Sequence, residues 1–268
     1  MERPTPFPEL NSVLHDLVTS VQTALGDDFV GAYLQGSFAV GDFDRHSDVD
    51  FVIAVSGELS SDQVSALQAI HRRVFALRSP WAQHLEGSYF PVATLRNSDM
   101  RGKQLWYLDH GSQTLVRSDH CNTLVVRCVL RDHGLVLAGP NPASLIDPIS
   151  VGAFRQEVLE TIRNWGQQIL DEPQPYRNRF YQGFIVLSYC RMLHDLLEGT
   201  PGSKRAGAAW AKETLDPVWS DLIDRAWNGR PDPAVSVREP ADPSDFASTL
   251  EFVKLIVRES ERYADALY

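Results

Sequence analysis

The chain has 268 residues, 43% hydrophobic and 22% charged, with a formal net charge of −10 and a pI near 5.2. Such a composition excludes a disordered chain and leaves room for one large domain or two modest ones. The acidic balance disfavours a nucleic-acid partner, whose backbone demands a basic surface, and it suits cationic small molecules. Cys121, Cys128 and Cys190 are too scattered for a disulfide framework or a zinc spacing, so a reducing compartment is expected. The start MERPTPFPEL is not a secretory leader, and no run is long and apolar enough to cross a bilayer. The expectation is a cytoplasmic protein with no membrane partner; nothing in the sequence fixes an oligomeric state.

In chain order, Leu10, Val13, Leu14, Leu17, Val18 and Val21 recur at helical spacing and predict an amphipathic helix over residues 8–25. FVGAYLQGS reads as a short strand closed by a Gly-Ser turn that opens a helix, and VDFVIAV as a second strand buried on both faces. A helix follows over residues 61–78, and HLEGSYFPVATL reads as a third strand. Residues 122–137 fit helix or strand by pattern and helix by length, with Asp119 read as a helix cap. The prolines of AGPNPASLIDPIS, residues 138–150, mark a domain boundary. Beyond it the pattern is helical: residues 151–170, residues 180–198 stopped by Gly199, a helix capped by Ser203, another begun by Asp216-Pro217 and ending before Gly229, and a last one over 244–266. Trp165, Trp219 and Trp227 fit helix packing, and the eight histidines show no metal-ligand spacing, as suits residues at the surface or at helix ends. The domains expected are 1–140 and 150–268, an α/β (α+β) half with a mixed sheet and an all-α helical bundle.

Between the first two strands lies GSFAVGDFDRHSDVDFVIAV, residues 36–55, which holds Asp42, Asp44, Asp48 and Asp50. Residues two apart on a strand share a face, so Asp48 and Asp50 project together, and their mutual repulsion is relieved by a divalent cation. Magnesium takes hard oxygen ligands and combines one or two carboxylates with substrate phosphates. Gly36 and Ser37, opening a helix, can hold a phosphate on backbone amides and a hydroxyl. A metal pair facing a phosphate cradle suits phosphoryl or nucleotidyl transfer.

Gly36-Ser37, a nine-residue spacer, Ser47-Asp48-Val49-Asp50 and an apolar strand together resemble the nucleotidyltransferase superfamily related to DNA polymerase β. That resemblance implies a third carboxylate on a later strand, as metal ligand or general base; Glu86 is the candidate, against the plainer reading of a strand glutamate facing water. The stretch VLSYCRMLHDLLEGTPGSKRAGAAWAKETL, with Arg191, Gly199, Lys204 and Ala208-Ala209-Trp210-Ala211, resembles the helical domain of bacterial aminoglycoside adenylyltransferases of the streptomycin/spectinomycin group. LAGPNPASLIDP is similar to their interdomain link, so the likeness spans nearly the whole chain.

The resemblance implies Mg2+ on Asp48, Asp50 and Glu86. ATP as co-substrate is implied on Gly36, Ser37, Ser47, Arg191 and Lys204, with the helical domain closing over it. The implied reaction is transfer of AMP to a hydroxyl of a small cationic amino-sugar, releasing pyrophosphate. The chain departs from the streptomycin-modifying pattern where Asn122 and Tyr181 stand in place of acids, and Trp106 and Tyr107 only neighbour the place of a drug-contacting tryptophan. Two alternatives stay open: a nucleotidyltransferase acting on a protein or RNA, and a non-catalytic nucleotide-binding regulator.

Overall fold

The computed structural model describes residues 4–44, 47–230 and 239–264. The chain divides into two compact units, Met1–Ile149 and Ser150–Tyr268.

The first unit is built on a six-stranded mixed sheet. Helix α1 (Pro8–Leu25) leads through a 3-10 turn into β1 (Phe29–Leu34), the one-turn α2 (Gly36–Ala39) and β2 (Val49–Val55). Helix α3 (Ser61–Phe75) precedes β3 (Leu85–Pro91), the short α4 (Val92–Arg96), β4 (Leu105–Leu108) and β5 (Leu115–Ser118). Helix α5 (Leu124–His133) and β6 (Leu135–Ala138) complete it. The strand order is β5-β4-β3-β2-β1-β6, with β2 and β3 parallel and the other neighbours antiparallel.

The alternation within β2 sets which way the sheet faces. Val49, Phe51, Ile53 and Val55 enter the core that also holds Leu10, Leu14, Leu17, Leu67 and Val74 of α1 and α3. Val52 and Ala54 face a second core with Phe90, Leu95 and Leu130. Asp50 belongs to the parity of Val52 and Ala54, so the acidic end of the strand continues an apolar face beyond its last buried residue.

Two expected elements divide. The strand expected over HLEGSYFPVATL ends at Pro91, which has no N–H to give a ladder, and Val92–Arg96 turns into helix. The helix expected over 122–137 stops at His133, and Leu135–Ala138 pairs antiparallel with β1. Gly134 makes that break possible: a Cβ there would stand 2.3 Å from the Leu130 carbonyl oxygen. The cap of α5 is Thr123, whose Oγ1 accepts from Val126 N at 3.1 Å, and not Asp119. Strands β4 and β5 are additions that the sequence pattern does not announce.

The second unit is helical: α6 (Val151–Asp171), α7 (Arg179–Glu198), α8 (Lys204–Thr214), α9 (Ser220–Asn228) and α10 (Pro243–Ala264). The expected residues 265 and 266 of the last helix lie outside the described residues. Helix α7 touches α6, α8, α9 and α10, and it is buried almost all round from Ile185 to Leu196, as a central helix must be. It ends where Gly199 takes a left-handed conformation (φ 74°). Gly207 lets α8 come close, since a Cβ there would lie 2.5 Å from Arg191 Cα. Ser203 caps α8 through Ala206 N at 3.0 Å. Trp165 stacks on Tyr189, and Trp219 lies against Phe252, both as packing residues.

Candidate active site

In the parallel ladder of β2 and β3, Asp50 is the register partner of Glu86. Paired strands run about 4.8 Å apart, and side chains of paired residues share a face, so the two carboxylates are lateral neighbours. Asp48 stands two residues before Asp50, ahead of the first β2 residue and on the same parity. Register and parity therefore put the three predicted carboxylates on one face at one end of the central strands.

The Gly-Ser turn lies directly against them. Gln35 N donates to the Asp50 carbonyl at 2.9 Å, which draws the start of α2 over β2. Gly36 has φ +62°, and a Cβ on it would fall 2.0 Å from Asp50 Oδ2. Only glycine leaves room there for the carboxylate, which a positive φ alone would not require. The neighbouring Ser37 Oγ is buried and, among the described residues, makes no hydrogen bond. A buried hydroxyl without a partner costs free energy, and a phosphate oxygen is a ligand that would satisfy it. Three carboxylates and an unpartnered hydroxyl thus fit a hard divalent cation with a phosphate beside it.

Ser47 is engaged within its own loop. Its Oγ accepts from Asp44 N at 2.8 Å, and its N donates to the Asp44 carbonyl at 3.1 Å, closing the turn that leads to Asp48.

Glu86 is held in place by Tyr107 on β4. The phenol lies 2.7 Å from Glu86 Oε1 and 3.0 Å from Asp109 Oδ1, and its one proton serves either carboxylate. Burial, and then the charge of Glu86, push the Tyr107 hydroxyl well above its ordinary range, so it stays a donor. His120 Nε2 lies 3.5 Å from Glu86 Oε1. Burial and the same carboxylate push the Cys121 thiol up, which keeps it an unreactive neighbour. All three cysteines are free and buried.

Sequence reasoning misses Tyr107 as a partner of Glu86, and it misses the histidines. Asp48 Oδ1 lies 3.1 Å from His110 Nε2, and His84 Nδ1 lies 2.8 Å from that same nitrogen. Positions 84 and 110 carry no local spacing signal, because the sheet rather than the chain brings them together. His71 is not the surface or helix-end residue that its isolation in the sequence suggests; it is buried against the sheet with Nε2 2.8 Å from the Tyr89 hydroxyl.

Asn122 is a core residue. It is 2% exposed, donates to the Met100 and Lys103 carbonyls, and accepts from Arg127 at 2.7 Å. Arg127, fully buried, also donates to the carbonyls of Leu95, Thr123 and Thr94. An acid at 122 would face this guanidinium rather than a ligand.

Arg191, Lys204 and Tyr181 belong to the second unit. Arg191 Nε is buried and makes no hydrogen bond among the described residues. One helical turn on, Asp195 is 2% exposed and accepts from Gly202 N at 2.7 Å; burial pushes its carboxyl up against the opposing pull of Arg191. The Lys204 ammonium lies 4.2 Å from the centre of the Phe184 ring, a cation–π contact. Tyr181 sits in an aromatic group with Tyr176, Phe180 and Phe184.

Residues 144–242 match the family model for the aminoglycoside adenylyltransferase C-terminal domain. That match takes in most of the helical unit and a little over a third of the chain. The fold of the chain is similar to that of spectinomycin adenyltransferase AAD(9) from Enterococcus faecialis, a structure solved with ATP and spectinomycin. The TM-score is 0.68 at 13% identity, covering 93% of this chain and 98% of that one. The sequence matches no curated protein. The region similar to that C-terminal domain follows an N-terminal sheet, in a fold similar to that of the adenyltransferase at low identity. Among the described residues, no helix is long and apolar enough to cross a membrane.

Proposed function

We propose that the chain is a magnesium-dependent nucleotidyltransferase that moves AMP from ATP to a hydroxyl of an aminoglycoside or similar amino-sugar. The observation that supports this reading best is Asp50 in register with Glu86 and directly under a glycine turn with an unsatisfied buried hydroxyl. Asp48 and Asp50 would hold the ion with Glu86 beside them; bound there, it offsets charge on the phosphates and on the leaving group.

The chain's own residues do the remaining work. Gly36 and Ser37 offer an amide and a hydroxyl to the triphosphate. Glu86 takes the proton of the acceptor hydroxyl as its oxygen bonds to the α-phosphorus and pyrophosphate leaves. Tyr107 keeps the Glu86 carboxylate in one orientation while that proton moves. Glu86, Asp48 and Asp109 together present negative charge to a cationic acceptor. Arg191 and Lys204, on the helical unit, are proposed as contacts to the triphosphate.

The relative bound to spectinomycin makes that compound the first acceptor to try, whereas streptomycin is expected to be poor, with Tyr181 in place of an acid. The test is pyrophosphate release from each nucleoside triphosphate, with magnesium, across a panel of aminoglycosides. Release with ATP and one amino-sugar, lost in Asp50→Asn, is the expected result. No release with any acceptor, or full activity in Asp50→Asn, overturns the reading.

A further inference from the structure

Beyond the carboxylates, a second set of donors converges at the same end of the sheet. The ladders explain how. Val49 pairs with Leu85, so Asp48 and His84 each stand one residue before the first pair of β2 and β3. Leu108 pairs with Gly87, and His110 follows β4 by two residues, at the edge where β3 begins. Asp48, His84 and His110 thus come from three neighbouring strand ends, and one ligand atom of each lies within 4.8 Å of the others.

Protons serve the atoms at the centre of this group only by being shared. His110 Nε2 is 2.8 Å from His84 Nδ1 and 3.1 Å from Asp48 Oδ1. If His84 donates to His110, the Nε2 lone pair faces a carboxylate oxygen. If His110 donates, its one Nε2 proton is divided between Asp48 Oδ1 and His84 Nδ1. The rings are also near parallel, with centroids 5.0 Å apart and planes 27° apart. Two imidazole nitrogens and a carboxylate oxygen on one point are what a borderline divalent metal takes, with a further position left for water. Partial exposure of Asp48 (38%) and His110 (17%) leaves that position open to solvent.

We propose that Asp48, His84 and His110 form a transition-metal site of the zinc and cobalt class, sharing Asp48 with the carboxylate pair. Magnesium is a poor occupant here, since it prefers all-oxygen, octahedral surroundings. An ion held there would fix the Asp48 carboxylate that the carboxylate pair also uses. The site stands apart from the adenylyl-transfer reading, because it is seen as metal binding by the protein without nucleotide or acceptor.

The experiment is titration of the full chain with Co2+, followed by its visible absorption, then displacement by Zn2+ or Mg2+. One Co2+ per chain is expected, with the intense bands of a low-coordinate imidazole site, displaced by Zn2+ and not by equimolar Mg2+. His84→Asn and His110→Asn should each weaken binding more than the roughly 10–100-fold that loss of an outer-shell partner costs. Asp50→Asn should leave Co2+ binding in place. Proton NMR of the wild-type protein with Co2+ gives a readout free of any folding defect in the variants: strongly shifted ring protons from two histidines are expected. No saturable Co2+ binding, displacement by Mg2+ as easily as by Zn2+, or unshifted histidine signals would overturn the proposal.

Discussion

Gly36→Ala separates the needs of the backbone from the needs of the site, because Gly41 provides a matched control. Both glycines have positive φ, +62° at Gly36 and +74° at Gly41. An alanine in the left-handed region costs about 1–2 kcal/mol at either position. A Cβ added to Gly41 would meet nothing within 4 Å, whereas at Gly36 it would meet Asp50 Oδ2 at 2.0 Å, Cγ at 2.8 Å and Cβ at 3.1 Å. The cheapest relief is for the carboxylate to swing away by more than about an ångström, which spares the fold and removes a ligand. The two variants should therefore lose similar stability in urea unfolding. Only Gly36→Ala should also weaken binding of ATP with magnesium, by about 3 kcal/mol or roughly a hundredfold. Calorimetric titration reads that difference. If Gly36→Ala binds nucleotide as Gly41→Ala does, Asp50 does not need its place under the glycine turn, and the metal assignment loses its geometric basis.

Glu86→Gln is expected to lower turnover by about 10²–10⁴-fold while nearly preserving ATP affinity; Tyr107→Phe, which removes one charged hydrogen bond, should have a smaller effect of about tenfold on kcat. Lys204→Ala should weaken ATP binding by roughly 1.5–3 kcal/mol in the same titration, and unchanged affinity would leave Lys204 with a packing role beside Phe184. Arg127→Met leaves Asn122 and three backbone carbonyls without their donor, so it should destabilise the protein by about 3–5 kcal/mol in urea; a loss under about 1 kcal/mol would contradict that account. Burial lowers the His71 pKa from 6.5 to about 4. The unfolded chain thus binds a proton there that the folded chain refuses, and stability is complete above pH 6.5 and falls as the pH drops toward 4. The loss amounts to about 3 kcal/mol, and His71→Gln should flatten that part of the pH–stability curve.

The elements with a clear period are legible from the chain. The apolar faces of α1 and α3, the run of β2 and the long helices of the second unit announce themselves, because each buries a whole stripe or a whole strand. Strands β4 and β5 do not: four residues each, they have a mixed pattern, and Val116 and Arg117 of β5 face out. Strand β6 is hidden by its closeness to α5, with only Gly134 between them. For the site, Asp48 and Asp50 stand out because strand parity puts them on one face, whereas Glu86 rests on a resemblance until the β2–β3 register sets it beside Asp50. His84, His110 and Tyr107 act through strand pairing, and pairing across a sheet leaves no trace in local spacing. Asn122 reads as a gap in ligand recognition, since a sequence does not show that a buried arginine waits five residues on.

The parallel pairing of β2 with β3 makes the backbone a ruler for the site. The separation of Asp50 and Glu86 is the width between two strands, so it survives wholesale replacement of the surrounding helices and loops. An insertion in the loop between β2 and α3, residues 56–60, alters neither parity nor spacing. A slip of one residue within β3 is another matter. It would turn Glu86 into the apolar core under α1 and α3, and bring Leu85 or Gly87 to the place beside Asp50. Along the seven residues of each paired strand, a single deletion would therefore undo both the core and the chemistry at once.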